Sequence, residues 1–229
     1  MKRATQSLLL AVTGAVLLRM AAGDSYLRYV NSWMRWPLLA CGAFLVVLAL
    51  VDVLRQQGSQ DDDHEAHVPR AAWLLFAPSL VFFLVAPPAL GAHFAERAQS
   101  AVVPVDTTTE VDFPPLPEGD PVPIVLDEVL LRAAYDDGAT LADRPLELEG
   151  FVSRDKAGTW FVTQFGMNCC AADATVMRVA ATGVDAPADD QWVRVVGRHV
   201  AGTGDGGRGT PEVVVEDLEL IEAPKNQYR

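Results

Sequence analysis

The sequence predicts an α+β protein: three transmembrane helices, then a small five-stranded antiparallel barrel with a helix in front of it. Three observations carry this. Apolar segments dominate residues 1–92, a proline-rich stretch follows, and from residue 145 onward short β-branched and aromatic runs alternate with glycine-rich turns. Charge divides at the same place. Residues 1–92 hold seven Lys/Arg and six Asp/Glu, whereas residues 93–229 hold eleven and twenty-four, a net of −13. So acidic a part repels phosphate backbones. That speaks against nucleic acid as a partner and favours a cationic one.

The membrane region is expected over 1–97. Its first helix, at about 4–22, opens on Lys2 and Arg3 and carries Arg19 near its end. The basic start and Ala21-Ala22-Gly23 also fit a secretory signal. Arg19 stands where such signals are neutral, and a second apolar segment follows closely, so a retained helix is the reading taken. The second helix, at about 36–54, has Trp33 and Trp36 at its start, where amphipathic rings prefer the membrane interface, and Asp52 and Arg55 at its end. The third, at about 71–92, carries no charge; roughly 20 apolar residues suffice to span the hydrocarbon core. Pro87 and Pro88 stop it. Lys2, Arg3, Arg55 and Arg70 fall on one side and Arg28, Arg35 and Arg97 on the other. The expectation is a multi-pass protein of the cell membrane, in contact with the lipid bilayer, N-terminus cytoplasmic and C-terminal domain extracytoplasmic. The loop Asp61-Asp62-Asp63-His64-Glu65-Ala66-His67 offers carboxylates with His64 and His67 to a divalent ion, or is a solvated acidic loop.

Residues 98–123 hold six prolines and read as a semi-rigid linker. Residues 124–229 read as a soluble acidic domain. Leu126, Val129, Leu130 and Ala133 recur at helical spacing, Asp127 and Glu128 suit a helix start, and Asp136-Asp137-Gly138 ends the run. Five strand-like runs follow, over residues 146–152, 159–165, 175–181, 191–200 and 212–221. Five short strands with glycine-rich turns point to an OB-like barrel.

Chemistry concentrates in Met167-Asn168-Cys169-Cys170-Ala171-Ala172-Asp173, in the loop after the second strand. Consecutive Cα atoms lie about 3.8 Å apart and disulfides usually need about 4.4–6.8 Å, so Cys169 and Cys170 are read as free thiols or metal ligands. Adjacent thiolates suit zinc or copper(I), with Asp173 and His199 as completing ligands; zinc is the cofactor considered. Two small packing residues are the alternative. A thiol enzyme would need His199 as its base. No catalytic residues are assigned.

Leu148-Glu149-Gly150-Phe151-Val152, Cys169-Cys170-Ala171-Ala172-Asp173-Ala174, Trp192-Val193 with Gly197, and the ending Pro224 to Tyr228 together resemble an uncharacterised bacterial membrane family. That family is described as a candidate two-component permease subunit with a double-Cys C-terminal domain of unknown function. This chain departs from it at Gln164, where an arginine is usual, and in its loop, which holds less histidine. The resemblance implies a partner: a permease with many membrane helices. The expected function is therefore that of a non-enzymatic accessory subunit, handling a transition metal; a stand-alone membrane-anchored metal-binding or thiol-redox protein is the alternative.

Overall fold

The computed structural model describes residues 3–58, 81, 88–97, 111–142, 144–207 and 209–229. They belong to two compact units, Met1–Ala89 and Leu90–Arg229.

In the first unit, helix α1 (Arg3–Ala22) packs against helix α2 (Arg35–Gly58). The contacts pair Ser7 with Asp52, Gly14 with Gly42 and Val46, and Leu18 with Gly42, so the helices run antiparallel. A Cβ on Gly14 would lie 2.8 Å from the Gly42 carbonyl oxygen. The two backbones meet with no side chain between them, as small residues allow in membrane helix pairs. The Ser7 hydroxyl donates to the Asp52 carboxylate, which gives the buried serine a partner. One described helical run, Ser32–Arg55, is long and apolar enough to cross a membrane, with mean hydropathy 2.5 over its most apolar window and only 11% of that window buried. Trp36, Phe44, Leu50 and Leu54 stand exposed along it.

Three spanning helices were expected, and the described residues contain one. In α1 the described apolar run is Gln6–Ala22, shorter than the roughly 20 residues that span the hydrocarbon core. Of the third segment, 71–92, only residues 81 and 88–92 are among those described.

The second unit is a closed five-stranded mixed barrel with a preceding helix. Short helix α3 (Ala92–Arg97) and strand β1 (Val122–Pro123) come first, then helix α4 (Leu126–Asp136). Strands β2 (Leu146–Arg154), β3 (Trp160–Gly166), β4 (Thr175–Thr182), β5 (Trp192–His199) and β6 (Glu212–Leu220) make the wall. Their order is β2-β3-β4-β6-β5, and β5 closes the ring by pairing back onto β2 from Leu146↔Gly197 to Phe151↔Trp192. The expected all-antiparallel wall is corrected here: β4 and β6 run parallel from Ala180↔Glu212 to Thr182↔Val214, and β1 runs parallel to β2. With β5 closing against β2 and forming a hairpin with β6, the seam left for β6 is the far side of β4, which it can reach only in the parallel sense.

Alternation along β2 sets the inside. Leu146, Leu148 and Val152 have no exposure and meet Val162, Val179, Val193, Val195 and Val213, with Leu126 and Val129 of α4 on the same core. Each such side chain contributes about 1.5–3 kcal/mol by leaving water. Gly150 lies on the inward face, where β3 crosses so closely that a Cβ would sit 2.6 Å from the Thr163 carbonyl oxygen. β3 is buried on both faces. Its outer face carries Phe161 under the Arg178 guanidinium, Thr163 hydrogen-bonded to Ser153 at 2.7 Å, and Phe165 within an aromatic cluster. That cluster joins Phe94 of α3, Phe151, Trp192 and Tyr228.

Residues 111–123 run along this unit. Fully buried Arg132 donates to Glu128 and to the Pro114 carbonyl at 2.8 Å, and its guanidinium lies over the Phe113 ring. Arg144 donates to the Gly119 carbonyl at 2.6 Å.

Candidate functional site

β3 ends at Gly166 because the C-terminal residues take over its hydrogen bonds. The Met167 N–H donates to the Arg229 carbonyl at 2.7 Å, and the Arg229 N–H donates to the Phe165 carbonyl at 3.0 Å. The chain then turns through Asn168, Cys169 and Cys170 into a 3-10 turn, Ala171–Asp173, and enters β4. Asp173 folds this loop. Its carboxylate oxygens accept the Asn168 N–H at 3.1 Å and the Cys169 N–H at 2.8 Å, and its own N–H donates to the Cys170 carbonyl at 2.9 Å. A carboxylate that accepts two backbone donors fixes both ends of a short loop at once.

The result brings three of the expected ligands together. The ligand atoms of Cys169, Cys170 and Asp173 lie within 4.8 Å of one another. The two sulfurs are 3.7 Å apart, both thiols are free, and both residues are half-buried. Asp173 accepts a hydrogen bond from the Cys169 thiol, and this, with the neighbouring Cys170 contact, pushes the Cys169 thiol up to about 11. The Cys169 thiol bond, with the backbone N–H bonds that the carboxylate accepts, holds the Asp173 carboxyl below the usual carboxylate range. A thiol held that high is a poor nucleophile at neutral pH.

Linkage fixes the sign. The raised Cys169 stabilises the folded loop below the ordinary thiol range, and its contribution is lost as pH rises toward about 11. Depressed Asp173 stabilises it above the ordinary carboxylate range, and its contribution is lost as pH falls below that range. Asp173→Asn is therefore expected to lower the Cys169 pKa toward the free-thiol value of about 8.5. Alkylation of Cys169 by iodoacetamide at mildly alkaline pH should speed up several-fold. An unchanged rate would show that the carboxylate does not control the thiol.

The other expected ligands are not in this group. His199, at the end of β5, packs against Gly138, where an added Cβ would run into its ring, and faces Thr203 with Nε2 to Oγ1 at 3.5 Å. Burial holds its imidazole below the ordinary histidine range. His64 and His67 lie outside the described residues. What the residue pattern did not reveal is the capping role of Asp173. The signal was there: a short acidic residue four and five positions after the N–H groups it satisfies, with no large side chain between.

Comparison with known proteins adds one finding. No curated protein and no solved structure matches the chain. Residues 129–229, which take in the barrel and most of α4, match the family model described as the DUF1980 C-terminal domain.

Proposed function

We propose that this protein is a non-enzymatic accessory subunit of a multi-helix membrane permease, anchored by its N-terminal helices and presenting an OB-like barrel whose Cys169, Cys170 and Asp173 bind a transition metal, zinc first among them. The observation that carries the metal reading is the 3.7 Å sulfur separation. Two thiolates bound at about 2.3 Å to one tetrahedral zinc ion sit roughly 3.8 Å apart, so the thiols are already spaced for one ion. Asp173 supplies a third donor, since each carboxylate oxygen has a lone pair beyond the backbone bond it accepts. Three protein donors leave a fourth position open to water or to a donor from a partner. That open position fits a subunit that passes an ion on better than one that stores it.

The membrane part of the proposal rests on Ser32–Arg55 and its exposed apolar side chains. A multi-pass anchor with the barrel outside the cytoplasm is the orientation that the Lys/Arg flanks favour. The test is zinc stoichiometry and partner recovery together, using the full chain purified in mild detergent from cells that co-express candidate permeases. About one zinc per chain and a co-purifying multi-helix protein are expected. Recovery of a metal-free chain alone would remove the proposal.

A further inference from the structure

A cleft of about 310 Å³ opens in the barrel wall where β3 parts from β2. Pairing between the two runs from Phe151↔Thr163 to Arg154↔Trp160 and goes no further, while β1 pairs with β2 at Leu146 and Glu147. The seam between β1 and β3 is the opening. Val125 and Glu128 at the start of α4 form one side; Glu147 and Glu149 of β2, Gln164 of β3 and Arg229 form the others.

Gln164 is the unusual member. It is 5% exposed, and its Oε1 has no hydrogen-bond partner. Buried acceptors are almost always met by a donor, so a hydrogen-bond donor is what this position lacks. The charge around it has a definite sign. Glu128 pairs with Arg132, and Arg194 is shared among Glu149, Glu219 and, at 3.8 Å, Glu147. Even with Arg229 counted, these four carboxylates outnumber the three guanidiniums. Glu147 is the least engaged of them. The carboxylates do not converge as metal ligands do: among the described residues, the only group close enough to share one ion is Cys169, Cys170 and Asp173.

From the lone acceptor, the excess of carboxylate and the spread of those charges, we infer that this cleft binds a small organic cation bearing N–H donors, an alkylammonium or a guanidinium. The charge lies against Glu147, and an N–H reaches Gln164 Oε1. The volume is at the small end of ligand cavities, which run from about 300 to 1,000 Å³, so a ligand of a few heavy atoms fits. The site is separate from the cysteine loop and stands independently of the metal proposal.

Calorimetric titration of the full chain in detergent tests the inference with three probes: n-butylammonium, methylguanidinium and tetramethylammonium chlorides. The first two are expected to bind saturably. Tetramethylammonium has the same charge and no N–H, and is expected to bind at least about tenfold more weakly, the loss that an unmet buried acceptor implies. Gln164→Leu should weaken butylammonium by a similar factor. Glu147→Gln, on a partly exposed side chain, gives the same readout should Gln164→Leu fail to fold, and neither change should alter zinc stoichiometry. Absence of saturable binding by both N–H cations, equal binding of tetramethylammonium, or undiminished binding in the folded variants would overturn the inference.

Discussion

Phe165→Ala is expected to destabilise the barrel by about 3–5 kcal/mol, the usual range for truncating a buried phenylalanine. Phe165 is 1% exposed and is the hub of the outer aromatic layer. Its ring stacks on Phe151 at 5.4 Å, meets Phe94 edge-on at 5.6 Å and lies 6.3 Å from Tyr228. Each favourable pair adds about 0.5–1.5 kcal/mol beyond the area it buries. The loss would also loosen the C-terminal segment, because the Phe165 carbonyl is the acceptor for the Arg229 N–H. Two units make a single melting curve ambiguous, so the measurement is amide hydrogen exchange on the full chain. Protection of Val152 and Val162 should fall a hundredfold or more, by the rule of about 1.4 kcal/mol per factor of ten. Val214→Ala, on an exposed side chain of β6, should stay within about 0.5 kcal/mol. Comparable loss in both variants would mean that the aromatic layer is not what holds α3 and the tail to the barrel.

The second large effect is on metal. Cys169→Ser with Cys170→Ser is expected to remove bound zinc completely while leaving the fold in place. Serine keeps the shape of the loop but offers no thiolate, and structural zinc affinity depends on deprotonated sulfur. Both residues lie outside the paired segments of β3 and β4, in a loop held by Asp173 rather than by its sulfurs. Metal per chain, measured by atomic emission after dialysis against a weak chelator, should fall from about one to zero. Hydrogen exchange in β2 and β3 should not change. Zinc retained by the double variant would place the ion elsewhere, and loss of protection in the barrel would recast the thiols as packing residues.

The five strands were legible almost to the residue, because β-branched and aromatic runs between glycine turns leave little choice of period. Leu146, Leu148 and Val152 alternate with Glu147 and Glu149, and the structure keeps that division. The helix was legible for the same reason: its apolar spacing runs from Leu126 to Ala133, and Asp137 and Gly138 end it in left-handed conformations. Pairing direction was not legible. The β4–β6 contact needs Ala180 beside Glu212, and nothing in the alternation of either strand says whether its neighbour runs with it or against it. Phe151 shares the face of Glu147 and Glu149 and so reads as outward, which it is, but the sequence does not announce that an aromatic layer with Phe165, α3 and Tyr228 will cover it. In the site, the adjacency of Cys169 and Cys170 placed the two sulfurs, and Asp173 was near enough in sequence to join them. His199 is the single histidine of residues 124–229, and position along the chain carries no information about which end of a barrel a strand terminus faces.

Closure of the ring through β2 and β5 has a consequence for how the chain reaches this state. β2 gains β3 through a tight hairpin, yet its other edge waits for a strand that emerges from the ribosome much later. At roughly 5–20 residues per second of synthesis, that edge stays open on the order of seconds. Open strand edges invite pairing with other chains, and charge along them is a common deterrent. Glu147 and Glu149 lie along this edge of β2, so before Arg194 arrives on β5 to neutralise them they repel any second copy of the strand. The same two carboxylates that line the finished cleft would serve, in the nascent chain, as a guard against aggregation.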